Sequence, residues 1–210
     1  EFARVKAKLK GYIAEPRYTL RDYPQTDQTL PARYARAYAY HKSAQVDRAL
    51  SETESLLASA PDDPYFLELK GQVLLESGRP EEALEPLRKA TELTLADPLI
   101  SSMFGHALIA TEDKDHFEEA EQVLRASVAR DRYNPFAWYQ LGMVYAARGD
   151  LPRARLASAE QQVMTRRYIE ALRSAQLAES ALPVGSADWL RAQDVRMEAQ
   201  AALERERDKS

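Results

Sequence analysis

The chain contains no cysteine, so neither a disulfide framework nor a thiolate zinc site is open to it. Glycine is scarce, seven residues in 210, while alanine is abundant, and since alanine is the best helix former and glycine a poor one the balance points to an all-helical chain. No stretch approaches the ~20 apolar residues of a membrane span. Histidine occurs only at His41, His106 and His116. None is four residues from another, so the H-E-x-x-H zinc motif is absent, and no Asp or Glu run at ligand spacing accompanies them. There is no glycine-rich phosphate loop and no Ser/His/Asp signature. We therefore expect no catalytic, cofactor-binding or metal-ligating residue in this chain. Positive charge is not in excess either: 29 Lys and Arg against 33 Asp and Glu give a net charge of −4, which argues against a nucleic-acid partner. The remainder, 45% hydrophobic and 30% charged, is typical of a folded protein.

What is present is a period. The small residues Ala37, Gly71, Gly105 and Gly142 fall at intervals of 34, 34 and 37 residues. Ala49, Ala83, Ala120 and Ala154 repeat at 34, 37 and 34, and Pro64, Pro98 and Pro135 at 34 and 37. Two antiparallel helices with short turns fill about 34 residues. The extra three residues lie between Leu108 and Ala120, where an insertion lengthens a turn and spares the packing positions. Asp63-Pro64, Asp97-Pro98 and Asn134-Pro135 each place a capping side chain before a proline suited to the first helical position. Gly78 and Gly149 suit the left-handed residue after a helix end.

Trp138-Tyr-Gln-Leu-Gly-Met-Val-Tyr145 matches the W-x2-L-G-x2-Y signature of a tetratricopeptide repeat, and the chain resembles that family. The resemblance implies an all-α, right-handed superhelical solenoid of four to five helix pairs, with an N-terminal helix and a C-terminal capping helix. The expected organisation is an N-terminal helix (about 3–14) and linker over 1–31, repeats over 32–62, 63–96, 97–133 and 134–183, and a capping helix in 184–210. Helices are expected at about 32–43, 46–59, 64–77, 80–94, 98–111, 116–130, 135–147, 151–165 and 168–181. The last of these places Ala171 half a period after Ala154, so the fourth repeat includes a degenerate fifth. Val5, Leu9, Tyr12 and Ile13 form the stripe by which the N-terminal helix would cover the first repeat. Pro16, Pro24 and Pro31 mark the linker.

In such repeats the first helices line a concave face. The residues expected there include Tyr34 and Tyr38, then Glu68 and Gln72, then His106, then Tyr139 and Met143. This aromatic, polar and apolar set suits a partner protein or an unfolded, extended peptide segment. Taken singly, each tyrosine is more readily read as packing against the next helix. Arg166-Arg167 reads as compensation of a helix C-terminal dipole.

Ala7-Lys-Leu-Lys-Gly-Tyr-Ile-Ala-Glu-Pro16, Leu20-Arg-Asp-Tyr-Pro24, Leu156-Ala-Ser-Ala-Glu160 and Ala187-Asp-Trp-Leu-Arg-Ala-Gln193 resemble BepA-like proteins, bacterial periplasmic zinc metalloproteases that carry a tetratricopeptide domain. That resemblance implies a non-catalytic, substrate- or partner-binding module acting with its own protease domain in outer-membrane protein quality control. Zinc would belong to that domain alone, and oligomers are compatible. Glu1-Phe2 reads as a restriction-site scar. The alternative is a stand-alone cytoplasmic tetratricopeptide adaptor.

Overall fold

The computed structural model describes residues 2–208. Of the proposed scar, Glu1 lies outside the described residues, as do Lys209 and Ser210 of the charged tail. Twelve α-helices and one 3₁₀ turn account for the described residues, with no strand among them. They form two compact units, residues 1–95 and 96–210.

In the first unit α3 (Leu30–Lys42) pairs with α4 (Val46–Ser59), and α5 (Pro64–Glu76) with α6 (Pro80–Leu93). α4 also packs on α5, which joins the two pairs. Tyr34, Tyr40, Leu56, Phe66, Leu69 and Val73 share one buried core. The second unit opens with α7 (Pro98–Ala110), which pairs with α8 (Phe117–Arg130), followed by α9 (Pro135–Ala147) with α10 (Leu151–Met164). α11 (Tyr168–Ala181) packs on α10 and on α12 (Ala187–Arg207).

The first helices of the second, third and fourth pairs start where an aspartate or asparagine caps them, whereas Thr29 ahead of α3 makes no side-chain cap. Asp63 accepts from the backbone N–H of Tyr65 and Phe66, Asp97 from Leu99 and Ile100, and Asn134 from Ala137. Each cap is followed by proline at the first helical position, where the missing N–H costs nothing. The ends are just as regular. Ala44, Gly78, Glu112 and Gly149 all take positive φ, between 56° and 82°, in the turn that joins the helices of a pair. In three of those turns the next N–H reaches back five residues: Gln45 to the Tyr40 carbonyl, Arg79 to Leu74 and Asp150 to Tyr145. This is the Schellman closure. In the third repeat the inserted residues change it, because the Asp113 N–H is held by the Thr111 hydroxyl and Lys114–His116 form the 3₁₀ turn.

The same turn recurs half a period later. Arg166 has φ 60° and the Arg167 N–H bonds the Gln162 carbonyl at 2.8 Å. Arg166 is thus the left-handed residue of a helix-pair turn, and Arg167 precedes α11 and pairs with Glu170. That replaces the dipole-compensation reading of this basic pair. α10 accordingly buries two sides. Ala157 meets Gly142 of α9, while Leu156 and Ala159 join α11 and α12 in small clusters with Ala178, Ala192 and Val195. Its alanines permit close approach on both sides, and helix α12 consequently packs on α10 as well as on α11.

Two expectations about the N-terminal segment need correction. α1 (Phe2–Ile13) is present, but the linker holds a further helix, α2 (Pro16–Asp22), with Pro16 at its first position. Pro16 therefore starts a helix as well as following one. And α1 does not dock through its apolar stripe. Ala7 and Gly11 are the buried residues, whereas Val5, Leu9, Tyr12 and Ile13 are exposed. Charge explains the choice: Arg4 pairs with Asp63 and Lys8 with Glu68 at 3.1 Å, and Lys42 donates to the carbonyls of Tyr12 and Ala14. The small residues face α3 because the approach is close. A Cβ on Gly11 would stand 2.9 Å from both the Ala35 carbonyl oxygen and the Tyr38 Cβ.

Candidate functional site

The seven candidate groove residues divide between the two units. In the first unit α1 lies on α3 and covers the face that a ligand would use. Tyr34 and Tyr38 are enclosed, at 1% and 2% exposure. Their rings meet edge to face at 5.3 Å, and Tyr34 meets Phe66 in the same manner at 5.1 Å. Burial raises both phenol pKa values far above the ordinary tyrosine range. These two residues are core in this structure, and the placement of them on an open ligand face is corrected accordingly. Glu68 is engaged by Lys8. Gln72 donates to Glu76 at 2.8 Å and borders a cavity of about 570 Å³ that it shares with Tyr12, Tyr38, His41, Lys42 and Glu76. His41 Nε2 is 2.9 Å from Glu76 Oε2 on the same rim.

The second unit leaves its groove open. His106 on α7 and Tyr139 and Met143 on α9 line one cavity of about 460 Å³, closed at one side by Phe117 and Glu112. His106 meets Phe136 edge to face at 5.4 Å. Tyr139 is 53% and Met143 43% exposed, a large apolar share for helix residues flanked by buried Gln140 and Val144. The side-chain carbonyl oxygen of Gln140 lies buried on this wall with no hydrogen-bond partner. A buried acceptor left unmade costs about 1–3 kcal/mol, and this one is enclosed rather than presented to the cavity. Gln140 was not among the sequence candidates. Its position follows Tyr139 by one, which a 3.6-residue period assigns to the neighbouring side of the helix.

Among the described residues no cluster of three or more His, Cys, Asp or Glu is arranged to hold a metal. Among them, too, no helix is long and apolar enough to cross a membrane.

The helix pairs, the capped starts and the recurrent left-handed turns define a tetratricopeptide-repeat protein. A tetratricopeptide-repeat family model matches residues 34–98 and 108–162, more than half of the chain, and the chain belongs to that family. No curated protein matches it. Among solved structures, MamA is similar at 22% identity and TM-score 0.59, over 82% of this chain and 96% of that one. YrrB is similar at 22% identity and TM-score 0.64, over 83% and 90% of the two chains. Residues 41 to the end of MamA from Desulfovibrio magneticus RS-1 match at 18% identity and TM-score 0.63, over 79% and 92%. At these identities the likeness is one of fold.

Proposed function

We propose that this chain is a protein-interaction module that binds extended segments of partner proteins in the groove between α7 and α9. The observation that carries the reading is the exposed pair Tyr139 and Met143 on the wall of the open α7–α9 groove. It offers two apolar surfaces to the side chains of an extended peptide, the contacts that give such binding its specificity. The related fold of YrrB is described as a tetratricopeptide-repeat protein with an unusual peptide-binding site, which lends the fold to such use. The test replaces Tyr139 and Met143 with Ala and titrates unfolded outer-membrane protein segments by fluorescence anisotropy, with thermal melting in parallel. Weakened binding with an unchanged melt is expected. Unchanged binding would move the site off this groove.

The fuller assignment, which also belongs to this proposal, is the non-catalytic part of a BepA-like periplasmic metalloprotease. Supporting it are the sequence resemblance and the outward apolar face of α1, where Val5, Leu9 and Ile13 are at least half exposed. Such a face suits contact with a neighbouring domain. An upstream reading frame without H-E-x-x-H would sink this part of the assignment and favour a free-standing adaptor, and it would leave the groove reading standing.

A further inference from the structure

A second cleft in the 96–210 unit lies away from the α7–α9 groove. It encloses about 320 Å³ and is lined from α8, α9, α10 and α12. Its floor is apolar: Val128, Trp138, Leu141 and Leu156. Trp138 is fixed there, since its indole N–H donates to the Arg132 carbonyl at 2.9 Å.

The rim carries four arginines and only two acids, Glu160 and Asp188. Both acids are already committed. Asp188 accepts from Arg153 at 2.7 Å, and buried Glu160 receives both arms of the Arg191 fork, one at 2.7 Å. Burial pushes the Glu160 carboxyl up, to about 7, and nearby Arg132 works against that. The two remaining arginines have no such match. Arg125 has Glu121 at 3.7 Å, an acid that Arg148 holds more closely at 3.0 Å. The Arg132 guanidinium makes no hydrogen bond or ion pair with any described residue. Positive charge is therefore in surplus at this cleft on a chain that is acidic as a whole.

The lining gives the ligand its pattern. Arg125, Val128 and Ala129 follow i, i+3 and i+4 and so share one side of α8, while Arg132 stands two residues past the end of that helix, after Asp131 has turned extended. The cleft volume is near the lower end of the roughly 300–1,000 Å³ of small-ligand sites, room for one large side chain between the two charges. We infer that this cleft binds an acidic peptide segment in which an apolar side chain lies between carboxylates, the carboxylates on Arg125 and Arg132 and the apolar group over Trp138. Guanidinium suits this task because its planar fork meets a carboxylate with two donors.

The test titrates the wild-type protein with a capped Gly-Glu-Ser-Phe-Glu-Gly peptide and follows the Trp138 indole N–H by NMR. Parallel arms use the Gln-Ser-Phe-Gln and Glu-Ser-Ser-Glu versions. The first peptide should shift the Trp138 signal, and each altered peptide should bind several-fold more weakly. Arg125→Gln and Arg132→Gln, both at exposed side chains, should each weaken binding by about fivefold, the order expected of a partly solvated ion pair. Both effects should shrink in added salt. Replacing Tyr139 and Met143 with Ala should leave this titration unchanged, which separates its outcome from that of the groove. Equal binding of the Glu and Gln peptides, or no Trp138 shift at millimolar peptide, would overturn the inference.

Discussion

Gly71 and Leu87 occupy complementary volumes: a Cβ added to Gly71 would stand 2.4 Å from Leu87 Cγ. Gly105 and Leu124 repeat the relationship at 2.5 Å. Gly142 does not, since its nearest neighbour would be the Ala157 Cβ at 3.5 Å, an ordinary contact. The signature glycines are therefore unequal. Gly71→Ala and Gly105→Ala should destabilise, because overpacking a rigid core costs about 1–3 kcal/mol against the ~1 kcal/mol that alanine returns to a helix. Gly142→Ala should raise the melting temperature. Calorimetry on the three variants checks the difference in sign.

The left-handed turn residues make a second set. Ala44, Glu112 and Arg166 hold positive φ without being glycine, a conformation that costs a side-chain-bearing residue roughly 1–2 kcal/mol. Replacing each with Gly should stabilise by up to about 1 kcal/mol after the added chain entropy is counted. Gly78→Ala and Gly149→Ala should do the reverse, by about the same amount. No atom would touch their new methyl groups, so the loss would be purely conformational. Urea denaturation resolves changes of this size.

Docking of α1 can be loosened from either partner. Asp63 caps α5 and also holds Arg4, whereas Asp97 in the next repeat caps α7. Both Asp63→Ala and Asp97→Ala should lose about 1 kcal/mol from the cap. Only Asp63→Ala should also speed amide exchange along α1. Gly11→Ala should do so without touching a cap, because its methyl would press on the α3 backbone. Normal α1 protection in Gly11→Ala would count against the close approach described above.

Arg36 is the largest enclosed charge. It bonds Glu52 through Nε at 2.6 Å and through Nη2 at 3.3 Å, and its Nη1 donates to the Pro24 and Asp27 carbonyls at 2.9 and 2.6 Å. Removing one partner of a buried pair costs about 3–5 kcal/mol. Arg36→Met should fall near the lower figure, because Arg33 still reaches Glu52 at 3.3 Å. Backbone protection over 23–29 should fall as well. Hydrogen exchange with a denaturation curve measures both.

Period, caps and turn chemistry are local properties, and they made the repeats readable. A capping side chain needs only the next two or three residues, so Asp63, Asp97 and Asn134 announce their helices directly. The half-period placement of Ala171 after Ala154 drew attention to α10, and the Arg166 turn gives that spacing a backbone counterpart. The groove was less legible. Tyr34, Tyr38, Tyr139 and Met143 stand at matching positions in their helices, yet the first two are enclosed and the last two exposed. Nothing in the local pattern separates them.

The sequence by itself determined a helix-pair repeat, where the first helices at Pro64, Pro98 and Pro135 begin, and the absence of cysteine and of the zinc helix motif. Only the tertiary structure decided that α1 lies on α3 by its small and basic residues with its apolar stripe outward. Periodicity ranks faces by hydropathy, whereas a docked helix is placed by the sum of close approach and partnered charge. Gly11 allows the first, and Asp63 and Glu68, some sixty residues away, supply the second. Which tyrosines are core and which are surface follows from that long-range pairing.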